Sequence, residues 1–232
     1  MTNKVVQLKH IGKVTFSPNK RSKNIKISVK PDKSVLVSFP NFVSNYEVAT
    51  FVQKNVDWIR RQQHKFESNK NRINEGSEIK TKLHTVLFLK AEKNKVEHRG
   101  EVIKVFVCDF NSEQAQIFIE KVVTEIYRYE AKRILPKRLR ELALIHNFSV
   151  CKITIRNNRR NWGSCSSKNN ISLNLQMMKL PDELIDYILL HELVHTEIKN
   201  HGPKFWEKLN QITGNKAREM AKQVKQYSTY TL

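Results

Sequence analysis

Two histidines and a glutamate are spaced in this chain as the ligands and the general base of a metal-dependent hydrolase would be. His191 and His195 are one helical turn apart, Glu192 directly follows the first of them, and His201 lies just beyond. On a helix, positions i and i+4 share one face, so both imidazoles can bind one cation while Glu192 reaches water bound there. The pattern predicts a catalytic zinc site.

A solvated surface helix is the plain alternative for this motif. The residues just before the motif are apolar at positions that crowd one face of a helix. They are Leu184, Ile185, Ile188, Leu189 and Leu190. Two histidines and a glutamate that continue such a face are costly to bury without partners, and a metal ion removes that cost. The apolar stretch therefore favours the metal site.

The boundaries of the motif helix are marked in the sequence. Pro181 and the acidic residues after it suit a first turn, since proline has a helical φ and carboxylates are stabilised at the positive end of the helix dipole. Lys199 and Asn200 mark the end, and Gly202 and Pro203 then open another helix. The third histidine is therefore expected in a turn between two helices.

The third ligand has more than one candidate. His201 is the closest to the motif and already lies in the expected turn, while Glu207 and Glu219 are next in line. A metzincin would have glycine three residues before the third ligand, where this chain has Ile198, so that class is disfavoured. We expect the third histidine to complete the set.

The chemistry expected of this site is amide hydrolysis. Three neutral imidazoles leave Zn²⁺ its full charge and one open position, which lowers the pKa of a bound water to about 7. Glu192 would take the proton of that water and pass it to the leaving amine, while the metal polarises the carbonyl. Imidazoles also bind other divalent metals, and nothing in the sequence singles out an oxyanion donor.

Three short strands are expected before the motif helix and would give it a small sheet. They are residues 150–155, 162–165 and 171–173, with a polar turn at 166–170. A peptide can bind as an added strand on a sheet edge. The stretch expected to bind substrate in this way is Asn161, Trp162, Gly163 and Ser164. For Trp162 a place in the core is an equal alternative, and for Cys165 a buried structural thiol is favoured over contact with the metal.

The segment from residue 149 to residue 213 resembles the YgjP-like zinc metallopeptidase family, which is related to the SprT-like zincins. The likeness is carried by residues 161–166 (NWGSCS), 171–174, 180–181, 185–187, 191–195 and 200–206. It extends more loosely to residues 21–27 and to the aromatic helix near Trp58. The resemblance implies a compact zincin with His191, His195 and His201 as ligands and Glu192 as general base. One departure is Asn161, because the family usually has arginine before Trp-Gly-Ser-Cys.

Before residue 150 the sequence pattern changes to strand-like runs separated by polar turns. These runs are residues 5–16, 25–29, 35–39, 83–89 and 102–107. Ser44 and Glu47 form a capping box for one helix through about residue 66, and residues 112–146 are expected to be helical with an interruption at Pro136.

These patterns predict an α+β protein of two parts. A β-rich N-terminal module with one helix, at about residues 44–66, would occupy residues 1–110. A zincin-like metallopeptidase domain, in which the motif helix packs on a small sheet, would occupy residues 111–232.

The net charge of +20, from 42 basic and 22 acidic residues, raises the question of a nucleic-acid partner. The basic clusters that could contact phosphates are residues 60–61, 132–133 and 137–140. The related SprT-like proteases act on proteins attached to DNA, so association with DNA or RNA is a hypothesis. Lysine-rich usage can also reflect only the base composition of a genome.

The alternative function is that of a basic nucleic-acid-binding protein whose zinc site is structural. A structural site closes its coordination with a fourth protein ligand and has no use for a carboxylate beside the first histidine. Glu192 therefore favours a peptidase that acts on a peptide or protein substrate.

The cysteines and the hydropathy of the chain indicate the cellular compartment in which the protein is expected. Cys108, Cys151 and Cys165 are an odd count without C-x-x-C spacing, and the N-terminus has no apolar signal core. No apolar run approaches the roughly 20 residues of a membrane span. We expect a cytoplasmic protein with no membrane anchor.

Overall fold

The computed structural model describes residues 3–30, 33–68 and 72–231. Contacts between residues divide the chain into two compact units, residues 1–71 with residue 232, and residues 72–231.

A four-stranded sheet and two helices make up the described part of the first unit. The strands are β1 (Lys4–Leu8), β2 (Gly12–Pro18), β3 (Lys26–Val29) and β4 (Val35–Phe39), in the order β1-β2-β4-β3. The central pair, β2 and β4, is parallel, and the two outer pairs are antiparallel. Alternate residues of β4, namely Val35, Val37 and Phe39, are buried and pack with Val48 and Val52 of the following helix. This cluster is the core of the first unit.

The helical part of the first unit is broken at Asn55. The predicted capping box of Ser44 and Glu47 is present, and the two helices are α1 (Asn45–Lys54) and α2 (Val56–Ser68). The sequence predicts one helix here, which differs from the structure. Asn55 explains the difference, because its Nδ2 donates to the Phe51 carbonyl at 2.8 Å and its backbone is non-helical, with ψ near 11°. Such side-chain bonds to the backbone compete with helix continuation.

The second unit begins with another four-stranded sheet and a long helix. The strands are β5 (Glu78–Lys80), β6 (Thr85–Lys90), β7 (Lys95–Arg99) and β8 (Val102–Val107), in the order β5-β6-β8-β7. The helix α3 (Glu113–Ile145) begins after its N-cap Ser112 and runs through Pro136, so the predicted interruption is absent. Proline removes its own N–H bond, but the fully buried Leu135 and Leu139 anchor the helix on both sides of it.

A buried carboxylate on α3 joins this sheet to the helix. Glu130 is completely buried and accepts hydrogen bonds from the backbone N–H groups of Lys82 and Leu83, at 3.0 and 3.2 Å. It also bonds the side chains of Thr81 and His84. The sheet of residues 78–107 therefore belongs to the same compact unit as α3, and that unit begins at residue 72. A metallopeptidase domain that begins at residue 111 stays a prediction.

The rest of the second unit contains the motif helix and its sheet. The strands are β9 (Lys152–Arg156), β10 (Gly163–Cys165) and β11 (Asn170–Asn174), in the order β10-β11-β9, with β10 antiparallel and β9 parallel to β11. A 3-10 helix (Leu175–Lys179) leads to α4 (Asp182–Glu197), α5 (Pro203–Ile212) and α6 (Ala217–Val224). The predicted α+β class is confirmed, with α4 packed on a small sheet and β-rich structure before it.

No helix within the described ranges combines the length and the apolar character that crossing a membrane requires.

Candidate metal centre

The motif helix α4 has the boundaries that its sequence predicts. Pro181 precedes it, and Asp182 and Glu183 occupy its first turn. The last helical bond is donated by the N–H of Ile198 to the Val194 carbonyl at 2.8 Å, and Ile198 itself is extended. The chain then turns and enters α5 at Pro203, as expected from the sequence. This turn brings His201, which is exposed, back beside the C-terminal end of the motif.

Three imidazole nitrogens converge where α4 and the following turn meet. The Nε2 atom of His201 lies 3.0 Å from Nε2 of His195 and 3.0 Å from Nε2 of His191. Candidate ligand atoms of all three lie within 4.8 Å of one another. Three ligands at zinc–nitrogen bond lengths of about 2.0–2.1 Å have similar separations. The structure therefore brings together the three histidines that the sequence selected.

The protonation of these rings suits a cation at their centre. Nδ1 of His195 lies 3.0 Å from the Ile198 carbonyl, so it carries the proton and leaves Nε2 with a lone pair. Burial, together with the neighbouring imidazoles, lowers the pKa of His191 to about 3, and burial also lowers the pKa of His195. Three Nε2 lone pairs that converge cannot all be satisfied by hydrogen bonds between neutral rings, whereas one bound cation can accept all three.

One aromatic ring contacts all three imidazoles. Phe205, on α5, is fully buried, and its ring centroid lies 4.8, 4.5 and 4.8 Å from those of His191, His195 and His201. Contacts of this kind restrict the side-chain rotamers of the histidines. Phe205 therefore holds the orientation of the whole cluster.

Glu192, which follows the first histidine on α4, is buried. Only 5% of the surface of Glu192 is exposed, and its Oε2 atom has no hydrogen-bond partner among the described residues. Burial raises the pKa of Glu192 to about 8. A buried carboxylate without a partner is costly, and such groups concentrate at functional sites. At neutral pH the carboxyl group therefore holds its proton when no cation is nearby, and a cation among the histidines would lower this pKa.

A glycine on β10 makes room for that carboxylate. A Cβ atom at residue 163 would lie 2.6 Å from Oε1 of Glu192 and 2.7 Å from its Cγ. Contacts this short are not tolerated, so only glycine fits here while Glu192 keeps its position. The close packing of β10 against α4 therefore requires glycine at residue 163.

The residues expected to bind substrate lie on or next to an edge strand. Gly163 and Ser164 belong to β10, which is an outer strand of its sheet, and Asn161 and Trp162 precede it. The Trp162 carbonyl accepts the N–H of Asn174, so Trp162 faces the neighbouring strand. Backbone groups alternate in an antiparallel pair, so those of Gly163 face the open edge. The Asn161 Nδ2 group donates to the Gly163 carbonyl there, at 3.0 Å.

A lysine joins the end of α4 to the turn after β10. Lys199 Nζ donates to Oδ1 of Asn169 at 2.6 Å and to the Ser166 carbonyl at 3.2 Å. Cys165, which precedes this turn, is half-buried, and burial raises the pKa of its thiol. The contacts of Lys199 fix the motif helix relative to the edge strand.

The other candidate ligands lie outside the cluster. Glu207 and Glu219 are exposed, and neither belongs to the group of converging ligand atoms found in the described part of the chain. Glu219 instead bonds Gln223 on its own helix.

Two of the predicted basic clusters, residues 132–133 and 137–140, each have one arginine engaged within the protein. Arg138 forms a bidentate pair with Asp186, at 2.8 and 2.6 Å, and also contacts Glu141. Arg133 donates to the Tyr129 hydroxyl. These guanidinium groups are less available to phosphates than their sequence pattern indicates.

Sequence reasoning did not find the roles of Phe205, Gly163 and Lys199. In the sequence, Phe205 is one apolar residue of the helix that Pro203 opens, and Gly163 is one of the four residues expected to bind substrate. Their contacts with the histidines and with Glu192 depend on tertiary packing, which the spacing of hydrophobic residues in the sequence does not reveal. The signals available in the sequence were a glycine before the metal motif and an aromatic residue after it.

A family model described as YgjP-like, metallopeptidase domain, matches residues 23–227. The crystal structure of the metallopeptidase zymogen of Pyrococcus abyssi abylysin is 23% identical, covers 40% of this chain and 93% of that chain, and has a TM-score of 0.37. That of Methanocaldococcus jannaschii jannalysin, also a metallopeptidase zymogen, is 29% identical, covers 40% and 94%, and has a TM-score of 0.35. No curated protein matches the sequence.

Proposed function

The chain belongs to the YgjP-like family of metallopeptidases, and on that premise we propose that it hydrolyses peptide bonds with a zinc ion held by His191, His195 and His201. Glu192 serves as the general base. The observation that carries this proposal is that Nε2 of His201 lies 3.0 Å from Nε2 of both His191 and His195, while the next residue after His191 is a buried carboxylate with an unpartnered oxygen.

The side chains fit a zinc ion. Three neutral imidazoles are a common catalytic ligand set, since they leave a position for water or substrate. The hydrogen bond from Nδ1 of His195 to the Ile198 carbonyl supports Nε2 as the ligand atom. Other divalent metals also bind imidazole, so metal analysis is part of the test below.

Glu192 performs the proton transfers in this proposal. Zinc, when bound, supplies a Lewis acid that activates water and polarises the scissile carbonyl. Glu192 takes a proton from the attacking water and delivers it to the leaving amine, so that one carboxylate acts first as base and then as acid. Burial raises the pKa of Glu192 in the metal-free protein, and a bound cation would lower it toward the range in which the carboxylate accepts a proton near neutral pH. Gly163 keeps the carboxylate in place by leaving its space open.

The peptide is proposed to bind along the open edge of β10. The outward-facing backbone groups there belong to Gly163 and Cys165, which alternate with residues bonded to β11. Asn161 already donates to the Gly163 carbonyl, so it either shares that carbonyl with the substrate or gives it up. Ser164 and Trp162 complete the proposed binding stretch.

Metal content and peptide cleavage, measured in parallel, test this proposal. The variants are Glu192→Gln, His195→Ala and, as a matched control, Glu197→Gln, which changes an exposed carboxylate on the same helix. We expect Glu192→Gln to keep zinc and lose cleavage, His195→Ala to lose both, and Glu197→Gln to keep both. A wild-type protein that binds no metal, or a Glu192→Gln variant that cleaves as well as the wild type, would overturn the assignment.

The alternative of a structural zinc site in a nucleic-acid-binding protein predicts a different result. Glu192→Gln would then leave every measured property unchanged, and a fourth protein ligand would complete the site. Association with DNA or RNA through the basic surface, and a cytoplasmic location, stay hypotheses that this experiment does not address.

A further inference from the structure

A short segment after α6 is tied to the unit that contains the histidine cluster, although it forms neither helix nor strand. It comprises residues 228–231 and is named the strap. Thr231 is buried, and its Oγ1 atom lies 2.7 Å from Nε2 of Gln176 and 3.0 Å from Oγ1 of Thr124 on α3. Hydrogen bonds between buried side chains fix the position of both partners. The strap is therefore anchored at its buried end.

The strap also contacts the loop that leads into β10, residues 157–162. Oγ1 of Thr229 donates to the Arg159 carbonyl at 2.7 Å. The guanidinium of Arg159 lies over the ring of Tyr230, 5.9 Å from its centroid, and the carbonyl of Tyr230 accepts a hydrogen bond from Lys179. The strap thus holds the middle of the loop by a backbone bond and by a cation–π contact.

The rest of this loop is bound by one residue at the end of β11. Asn174 is completely buried, and its Nδ2 donates to the carbonyls of Asn158, at 2.7 Å, and Asn161, at 2.9 Å. Its backbone N–H donates to the Trp162 carbonyl at 2.8 Å. With the bond from Thr229, four of the five carbonyls of residues 158–162 therefore have a partner. A loop bound in this way has a defined backbone conformation.

A second buried amide links the strap directly to the loop. Gln176 is completely buried, and its Nε2 donates both to Oγ1 of Thr231 and to Oδ1 of Asn157, at 2.7 and 3.1 Å. Its Oε1 atom has no partner among the described residues, so the two bonds of the nitrogen orient the amide. A change at Thr231 is therefore transmitted to the start of the loop through one side chain.

The loop ends in the stretch proposed to bind the peptide, since Asn161 and Trp162 belong to both. Binding of a peptide as an added strand needs backbone groups that already have the bound arrangement. We propose that Thr229 and Thr231 are positioning residues for the substrate, because through this loop they hold the entrance to β10 in its peptide-binding conformation. This inference rests on the proposed function. The hydroxyl bonds of both threonines go to the loop, to Gln176 and to α3, so metal binding and proton transfer should not depend on them.

Steady-state peptide cleavage by the whole, zinc-loaded protein tests the role of the two hydroxyls. The variant is Thr229→Val with Thr231→Val, which keeps the side-chain shape and removes both hydroxyls. The rescue variant is Thr229→Ser with Thr231→Ser, which keeps them. Thr213→Val is the matched control, because it removes a hydroxyl that donates to the Leu209 carbonyl, at 2.7 Å, at the end of α5 in the same unit.

We expect the valine pair to raise KM about tenfold, as the loss of two hydrogen bonds implies, with kcat changed less than about twofold and zinc content unchanged. The serine pair and Thr213→Val should keep the KM of the wild type. An unchanged KM in the valine pair, an equal rise in the control, or a loss confined to kcat overturns the proposal. Thr229→Val alone, at a half-buried position, should raise KM about threefold and replaces the pair if the pair does not fold.

Hydrogen exchange of the loop amides gives a readout that does not need peptidase activity. We expect residues 157–162 to exchange faster in the valine pair than in the wild type, the serine pair or Thr213→Val, because the loop opens locally once its bonds to the strap are lost. Unchanged exchange of the loop overturns the positioning role. A wild type that cleaves no peptide while the valine pair still exchanges faster would refute the proposed function and leave only the structural link between strap and loop.

Discussion

Gly163 and Glu192 come so close that a single methyl group at residue 163 would lie 2.6 Å from the Oε1 atom of the carboxylate. The strand and the motif helix are therefore coupled through the one side chain that is proposed to move protons.

Gly163→Ala should displace Glu192 without removing any histidine. Because a misplacement of about 1 Å in a reacting group can cost about 10²-fold in rate, we expect cleavage to fall by about that factor while bound metal is unchanged. Gly202→Ala is the control, since no atom lies within 4 Å of a Cβ at that position and its φ is −75°. Full activity of Gly163→Ala would contradict the proposed role of Glu192.

Phe205→Leu should weaken metal binding more than it weakens the fold. The leucine keeps an apolar side chain but loses the ring that contacts the three imidazoles, so we expect metal affinity to fall about tenfold, as for other groups that support ligands. The control is Phe88→Leu, because Phe88 is also fully buried in the same unit but lies on β6. Competition with a chelator measures the affinity, and equal affinity of the two variants would refute the prediction.

The metal-free protein should lose stability as pH rises, because of Glu192. The pKa of Glu192 is raised from 4.5 to about 8 in the folded protein, so the folded state holds a proton that the unfolded state releases between these values. The stabilisation is therefore complete below pH 4.5 and is lost as pH rises through 8. Relative to Glu192→Gln, we expect the wild type to lose about 3–4 kcal/mol between pH 5 and pH 8. Urea unfolding in the presence of a chelator measures this difference, and parallel curves for the two proteins would disprove it.

Glu130→Ala should be strongly destabilising, although the residue is remote from the histidines in sequence. It removes the acceptor of two backbone N–H groups and two side chains in a buried turn. Leaving such donors unpaired costs about 3–5 kcal/mol. Glu120→Ala, at an exposed position of the same helix, should change the free energy of unfolding by less than about 0.5 kcal/mol. Urea denaturation compares the two, and a similar small loss in both would count against the network.

The sequence predicts the local parts of this structure well. The capping box at Ser44, the strand 102–107 and the start of α4 near Pro181 are all present, because each depends on neighbouring residues. The grouping of His191, His195 and His201 was also predictable, since helical geometry and one turn suffice to bring them together.

What the sequence did not predict depends on distant contacts or on small differences in free energy. The break at Asn55 and the continuity at Pro136 each reverse a local preference, by a side-chain bond in one case and by buried neighbours in the other. The turn bound by Glu130 involves residues far apart in sequence. No periodic pattern could have revealed it.

All three converging imidazoles come from one continuous segment, residues 191–201, whereas Gly163 reaches Glu192 from a strand much earlier in the chain. Contacts that are near in sequence form faster during folding than distant ones, since they close shorter loops. The ion site therefore rests on short-range contacts, whereas the position of Glu192 rests on the docking of β10 against α4. Loosening of that strand would leave an ion on the histidines and the peptide uncut, so the edge strand is the part through which cleavage can be lost while metal is kept.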